Sequence, residues 1–400
     1  MNRDIIALVA KLVLLFRNPE SYKRFLACRD ADAQQLLDLL QDLLDLDSFS
    51  AVKPLIFQAL MRLSRDSGLH PRCFSLPELH KVGQQVTGGG FGDLWQGLVC
   101  GQSVSVKMMR VFKNAHIDAI LKEFSREALI WRQLCHPNVL PFFGVYYLEN
   151  RLCLVSPWME NGNMMDFLTN ENPCNTALHS EILDVALGLQ YLHAQNVVHG
   201  DLKAINILVT PSGTACIADF GLSSIADIMT LRFTHSTSYV QGGTARYQAP
   251  ELLRGEKRHY GSDVYAFACV CYEILTGMVP FHELPNDMAV ILQVIQGKHP
   301  SQPVMCRNTA TLESLWKLLI DCWEENTDSR PPAPQIVERL AGSSIGATPT
   351  LSAAKDWDET FTSKFRRSLQ AQPLLPSVNQ IEHILFGSGW FIFEVLFVLN

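Results

Sequence analysis

The sequence predicts an α+β chain: a strand-rich lobe, then a helix-rich lobe, with a helical extension in front. Three observations predict it. Short β-like runs punctuated by glycine occupy the stretch from Leu79 to Met109. After Asn161-Gly162-Asn163 the pattern is mainly helical as far as Leu340. The first 70 residues carry leucines at helical spacing instead.

In the extension, Ile5 to Phe16 is apolar apart from Lys11. Asp4 precedes it and Arg17-Asn18-Pro19 follows without a small-residue cleavage site, so an amphipathic helix is expected rather than a signal-peptide core. Further on, Asp38, Asp42 and Asp45 fall on one helical face while Leu36, Leu40, Leu43 and Leu44 lie towards the other, with Asp30 or Asp32 placed to cap the start. Such a helix fits a layer packed on a neighbouring domain, and it also fits a docking or self-association surface for a partner. Ser67-Gly68-Leu69-His70-Pro71-Arg72 reads as a linker, so the extension is expected to span 1–70.

The strand-rich lobe starts with an antiparallel meander of Lys81 to Val86, Leu94 to Cys100 and Ser103 to Met109. A helical pattern follows from Asp118 to Leu134, then two apolar runs, Val139 to Tyr147 and Arg151 to Ser156. The small-residue run Gly342 to Thr350 opens an expected flexible tail over 341–400. That tail ends in an apolar load of Phe386, Trp390, Phe391, Phe393 and Phe397. Ile384 to Leu399 is broken by Gly387, Gly389 and Glu394 and falls short of the about 20 residues of a spanning helix. A translated intron, a lobe-packing or partner segment and a weak membrane anchor all remain open for it.

Composition narrows the function class. With 48% apolar and 18% charged residues in 400, the chain has enough apolar content for a full core, which excludes a fibre or a disordered polyelectrolyte. Lys plus Arg is 33 against 40 for Asp plus Glu, a net charge of −7, so broad nucleic-acid binding is not expected. Eleven cysteines without any C-x-x-C pair suit reduced thiols in the cytoplasm, and neither they nor the dispersed histidines suggest a zinc cage.

Several motifs carry chemistry. Thr87-Gly88-Gly89-Gly90-Phe91-Gly92 lies between two strand-like runs, where a glycine-rich tip lets backbone N–H groups approach phosphate oxygens. Lys107 ends the alternating run Val104-Ser105-Val106-Lys107 with its ammonium inward, and needs a phosphate or carboxylate partner. Glu127, flanked by apolar residues on the face that would meet the sheet, is the natural carboxylate. His199-Gly200-Asp201-Leu202-Lys203-Ala204-Ile205-Asn206 and Asp219-Phe220-Gly221 each sit beside a strand-like run. Two carboxylates and an amide carbonyl converging from loops are hard oxygen ligands and a base, the set that magnesium-assisted chemistry on a phosphate ester needs.

Taken in order, the glycine-rich loop, strand lysine, helix glutamate, catalytic loop, D-F-G and Ala249-Pro250-Glu251 resemble the eukaryotic protein kinase family over residues 80 to 340. The resemblance implies a bilobal fold: a five-stranded antiparallel sheet plus one helix (αC in the family's usage) in an N-lobe of about 80–156, and a mainly helical C-lobe of about 160–340. It implies ATP and magnesium (Mg2+) as cofactors, with Lys107 on the α- and β-phosphates, Glu127 its partner, Asp201 the catalytic base, and Asn206 and Asp219 the metal ligands. Gly89 and Gly92 match loop glycines, and Val86, Leu94, Ser105 and Leu208 match the adenine slot. Ser156 matches the small gatekeeper of the hinge, with Pro157 and Met159 offering backbone to the adenine edge. Glu251 with Arg330, and Asp263 against the catalytic loop, match buried structural pairs.

Lys203 two residues past Asp201, and Thr244 in Gly242-Gly243-Thr244-Ala245-Arg246-Tyr247, resemble serine/threonine enzymes, where the lysine neutralises the γ-phosphate. The stretches Trp158 to Gly162 and Ser262 to Leu275 resemble tyrosine kinases, which together with Lys203 points to the tyrosine-kinase-like (TKL) group, and His199 to Lys203 with Gly242 to Glu251 resembles its expanded mushroom-forming fungal branch. Two departures stand out. Thr87 replaces the first loop glycine, and Gly200 replaces the arginine of H-R-D, whose cation in other members pairs with an activation-loop phosphate. Weaker dependence on phosphorylation of Thr234, Ser236, Thr237, Ser238 or Tyr239 is therefore expected.

The expected function is transfer of the γ-phosphoryl of ATP to serine or threonine hydroxyls of protein substrates in cytoplasmic signalling. A pseudokinase acting as an interaction module is the alternative, although Lys107, Asp201, Asn206 and Asp219 are all present. A small-molecule phosphotransferase on the same architecture is a further rival, opposed by the peptide shelf that Ala249-Pro250-Glu251 implies.

Overall fold

The computed structural model describes residues 3–46, 51–72, 75–76, 79–88, 92–109, 117–148, 151–171, 175–221, 224–225, 244–303, 310–342, 356–357 and 361. Four helices come first: α1 (Arg3–Arg17), α2 (Pro19–Leu26), α3 (Asp30–Leu44) and α4 (Lys53–Ser67). Local signals set their ends. Asn18 caps α2 by accepting from the Ser21 N–H at 3.0 Å, with Pro19 at the first position, and Gly68 closes α4 in the left-handed region at φ 73°. The expected capping of α3 by Asp30 or Asp32 does not occur. Arg29 occupies the cap position with no side-chain cap bond, and Asp30 itself takes φ +49°.

Both faces of α3 are buried. Leu36, Leu37, Leu40 and Leu43 lie inside a core shared with α1 and α4, and Asp38 on the acidic face is only 6% exposed. Asp38 tolerates burial because the Arg72 backbone N–H and guanidinium both donate to it, at 2.7 and 2.6 Å.

Next come β1 (Leu79–Gly88), β2 (Gly92–Val99), β3 (Gln102–Met109), α5 (Ile117–Arg132), β4 (Gly144–Leu148) and β5 (Arg151–Pro157). The strands make one antiparallel five-stranded sheet in the order β1-β2-β3-β5-β4. Alternation explains its face. Val104, Val106 and Met108 point to one side and are buried with Val155 and Phe143, while Ser105 and Lys107 point to the other. Thr87 falls within β1 opposite Leu94, after a register shift at Gln85. As an extended position it suits a β-branched residue.

The second lobe holds α6 (Met164–Glu171), α7 (Asn175–Ala194), β6 (Val197–Val198), β7 (Ile207–Val209), β8 (Ala215–Ile217), β9 (Ser224–Ile225), α8 (Pro250–Leu253), α9 (Tyr260–Thr276), α10 (Asp287–Ile295), α11 (Ala310–Cys322) and α12 (Ala333–Gly342). From Ser262 to Leu275, α9 is buried all round, as its nearly unbroken apolar sequence requires, and it forms the axis of the lobe. No described helix is long and apolar enough to cross a membrane.

The flexible tail expected past Leu340 falls largely outside the described residues, and so does its apolar end. At the three positions that are described the chain is packed. Trp357 is 5% exposed and its Nε1–H donates to the His136 carbonyl at 3.1 Å, Phe361 meets Phe143 ring to ring at 5.9 Å, and Asp356 accepts from the Ser212 hydroxyl. Ser212 lies in the turn after β7 and Phe143 immediately before β4, so this segment touches both lobes.

Candidate active site

Lys107 is delivered by β3, whose register fixes it opposite Leu94 on one side and Leu154 on the other. Its Nζ lies 3.0 Å from Glu127 Oε1 on α5 and 2.8 Å from Asp219 Oδ1 in the loop after β8. Burial opposes the ammonium's charge, and the two carboxylates more than restore it, holding the Lys107 pKa above its usual value. Burial likewise pushes the Asp219 carboxyl up, but the Lys107 charge and hydrogen bond, helped by His199 and Lys203, bring it down to about 2. Asp219 is therefore an anion at any physiological pH.

The loop between β6 and β7 carries a second group. Lys203 Nζ donates to Asp201 Oδ2 at 2.7 Å, and Asn206 Nδ2 donates to the Asp201 carbonyl at 2.9 Å. This assigns the Asn206 nitrogen to the loop, so its side-chain oxygen is the atom it can offer a cation. A carboxylate at Asp219 and an amide oxygen at Asn206 are donors of the hard kind magnesium takes, so the residues fit that ion.

Asp263, on the first turn of α9, braces this loop from below. Its Oδ1 accepts from the Gly200 N–H at 2.8 Å, and its Oδ2 from the His199 N–H at 2.8 Å and from His193 Nε2 at 3.1 Å. Burial would raise its pKa, and these donors hold it below the usual carboxylate value. His199 in turn accepts from the Asp201 N–H at Nδ1 and donates from Nε2 to the Ala218 carbonyl, which ties the two loops together. Gly200 has φ +81°, a conformation that favours glycine over arginine on steric grounds.

Among the expected adenine-slot residues, Ser156 is 4% and Met159 7% exposed, Pro157 is buried, and Leu94, Ser105 and Leu208 are half-buried. Ser105 and Ser156 are cross-strand neighbours, and Asn163 bridges to Leu208, which brings the three runs to one place. Val86 is 47% exposed on β1. Gly92 starts β2, and Thr244 starts the short 3-10 turn Thr244–Tyr247. Gly89 and the hydroxyl cluster from Thr234 to Tyr239 lie outside the described residues.

The sequence reading missed the aromatic stack behind these groups. His199, Phe220, Trp131 and Phe142 follow one another at ring separations of 5.5, 5.6 and 5.2 Å. The Trp131 indole N–H donates to the Leu140 carbonyl at 2.6 Å. A signal was available: Trp131 stands four residues after Glu127, on the same face of α5. Below the site, Arg330 grips Glu251 through two parallel bonds of 2.7 and 2.9 Å and donates to the Glu324 and Gly261 carbonyls.

The family model described as protein tyrosine and serine/threonine kinase matches residues 80–340. This chain belongs to the protein kinase family. Among its kinase relatives, the serine/threonine-protein kinases STY46 and STY17 of Arabidopsis thaliana are each 32% identical over 266 residues, covering 65% of this chain and 43% and 44% of theirs. The serine/threonine/tyrosine-protein kinase HT1 of the same plant is 27% identical over 264 residues, 65% of each chain. The matched stretch therefore spans less than half the length of the first two kinases. ATP is the phosphoryl donor of this family, and proteins are its substrates.

Proposed function

We propose that this chain is an ATP- and magnesium-dependent protein kinase of the tyrosine-kinase-like group that phosphorylates serine and threonine in cytoplasmic signalling. The observation that carries the reading is the Lys107 ammonium held between Glu127 and Asp219, at 3.0 and 2.8 Å. A cation so held is already placed in the cleft where phosphate oxygens would bind, and preorganised charge of this kind is the main source of acceleration in phosphoryl transfer.

In this reading Lys107 binds the α- and β-phosphates and Glu127 orients it. Asp201 accepts the substrate hydroxyl's proton on its carboxylate, and Lys203, 2.7 Å from that carboxylate, moves to the γ-phosphoryl as charge builds there. Asn206 and Asp219 hold magnesium, which when bound supplies positive charge to the phosphate oxygens. The buried Ser156, Pro157 and Met159 line the adenine edge and exclude water from it.

Purified full-length chain incubated with γ-labelled ATP and a generic protein substrate is expected to transfer label only with magnesium, onto serine and threonine. The Asp219→Asn variant should lose about a hundredfold or more of that rate while remaining folded, as circular dichroism would read. Unchanged labelling by the variant, or label on tyrosine alone, would overturn the assignment.

A further inference from the structure

The helical extension touches the catalytic lobe at one place rich in polar contacts. The Arg132 guanidinium lies 2.5 Å from the Asp45 carboxylate, Gln133 Nε2 donates to Gln41 Oε1 at 2.9 Å, and Gln41 Nε2 closes the circuit on Asp45 at 2.9 Å. Gln41 is fully buried and the Arg132 side chain 9% exposed, while the Asp45 side chain is 39% exposed, so the network is anchored in the interior at Gln41 and reaches solvent at its Asp45 end. Around it α4 packs directly on α5, and the leucines of α3 and the apolar residues of α5 belong to a single core.

Each partner is incomplete without the other. The last turn of α3 contains no basic residue, yet it ends on Asp42 and Asp45, two carboxylates at the negative end of the helix dipole. Arg132 of α5 brings the cation that this end lacks.

The contact also falls on a telling side of α5. At about 100° per residue, Arg132 lies about 140° round the helix from Glu127, and Gln133 follows in the turn that ends the helix. The face bearing Glu127 and Trp131 meets Lys107 and Phe220, while Arg132, the last residue of α5, and Gln133, just past it, reach Asp45 and Gln41 at the end of α3. Rotation of α5 that withdrew Glu127 from Lys107 would break the Asp45 and Gln41 contacts at once.

We infer that Asp45 and Gln41 of the N-terminal helices are positioning residues for phosphoryl transfer, holding α5 from behind so that Glu127 stays on Lys107. This rests on the kinase reading for its effect on rate, but not for its effect on α5. In the full chain, Asp45→Ala and Arg132→Ala are each expected to accelerate amide hydrogen exchange across residues 125–132 about tenfold, with the double variant going no further. The references α7 and α9 should stay as they are, and Asp45→Glu should restore protection. The kcat for transfer should fall by a similar factor with KM for the protein substrate unchanged. If Asp45→Ala does not fold, the isosteric Asp45→Asn serves in its place. Unaltered exchange in α5, equal acceleration in α7 and α9, or additive single effects would overturn the inference. A wild-type chain that transfers no phosphoryl group would sink the kinase assignment while leaving the exchange result to decide this one.

Discussion

Lys107 and Glu127 stand 20 residues apart in sequence and 3.0 Å apart in space, and the carboxylate sits in a site where burial pushes its pKa up. Glu127 is therefore costly to keep charged, and the Lys107 ammonium, helped by Arg126, offsets part of that cost. Glu127→Gln is expected to lower kcat/KM for ATP by about one to two orders of magnitude, as loss of a preorganised electrostatic partner does. The melting temperature should not fall much, since the substitution also removes the buried charge. Steady-state kinetics paired with thermal melting checks both halves.

At Gly200 the backbone is left-handed, at φ +81°. Gly200→Arg is expected to cost about 1–2 kcal/mol of stability, read by denaturant unfolding. If an activation-loop phosphate then acquires its cation, phosphatase treatment should affect the variant more than the parent chain.

Glu251 and Arg330 form a buried bidentate pair under the catalytic loop, with 3% and 5% exposure. Arg330→Met alone should destabilise by about 3–5 kcal/mol by stranding the carboxylate, and Glu251→Leu with Arg330→Met by clearly less. Burial raises the Glu251 pKa, but His259 and Arg330 bring it down to about 2. Because this folded value lies below the unfolded one of about 4.3, its stabilisation is complete above that pH and drains away between about 4.3 and 2. Acid unfolding of the double variant should show a weaker dependence in this window.

Asp42 behaves in the opposite sense. Burial, then the neighbouring charges of Asp45 and Asp38, raise its carboxyl to about 7, with Arg132 of α5 the one opposing charge. The folded chain thus binds this proton more tightly than the unfolded chain, whose carboxyl titrates at about 3.9. Between those two values stability falls as pH rises. Asp42→Asn is expected to flatten that slope and to raise the melting temperature most at pH 8, which a pH series of thermal melts will read.

Trp357 fills the groove beside His136 at 5% exposure. Trp357→Ala should destabilise by about 3 kcal/mol or more, the range for emptying a buried tryptophan site, while leaving the Lys107 cluster intact. Chemical denaturation of the full chain measures it.

Much of the site was legible in the sequence because its residues sit where local rules apply. Lys107 lies in a strand of alternating pattern, and Glu127 shares a helical face with apolar neighbours, so each declares its direction. The sheet strands were likewise visible, to within two residues at each end except for β4, which starts at Gly144, five residues after the start of the expected apolar run at Val139. What stayed hidden depends on contacts far along the chain. Asp45 reads as one more solvated acid until Arg132, 87 positions later, meets it. Trp357 lies 221 positions from the carbonyl it binds and follows a run of small residues that suggests no packing at all. The capping expected of Asp30 failed for a nearer reason: with φ at +49° the residue bends the chain rather than closing the helix.

The order of synthesis gives the two ends of this chain different parts in its assembly. The platform under α5 leaves the ribosome before α5 itself, so that helix can settle against finished neighbours as it emerges. Trp357 and Phe361 arrive after every other described residue, and the seam at His136 and Phe143 closes only then. A message stopped shortly after Gly342 would keep the Lys107 to Asp219 and Trp131 to Phe220 contacts between the lobes but lack this last fastening.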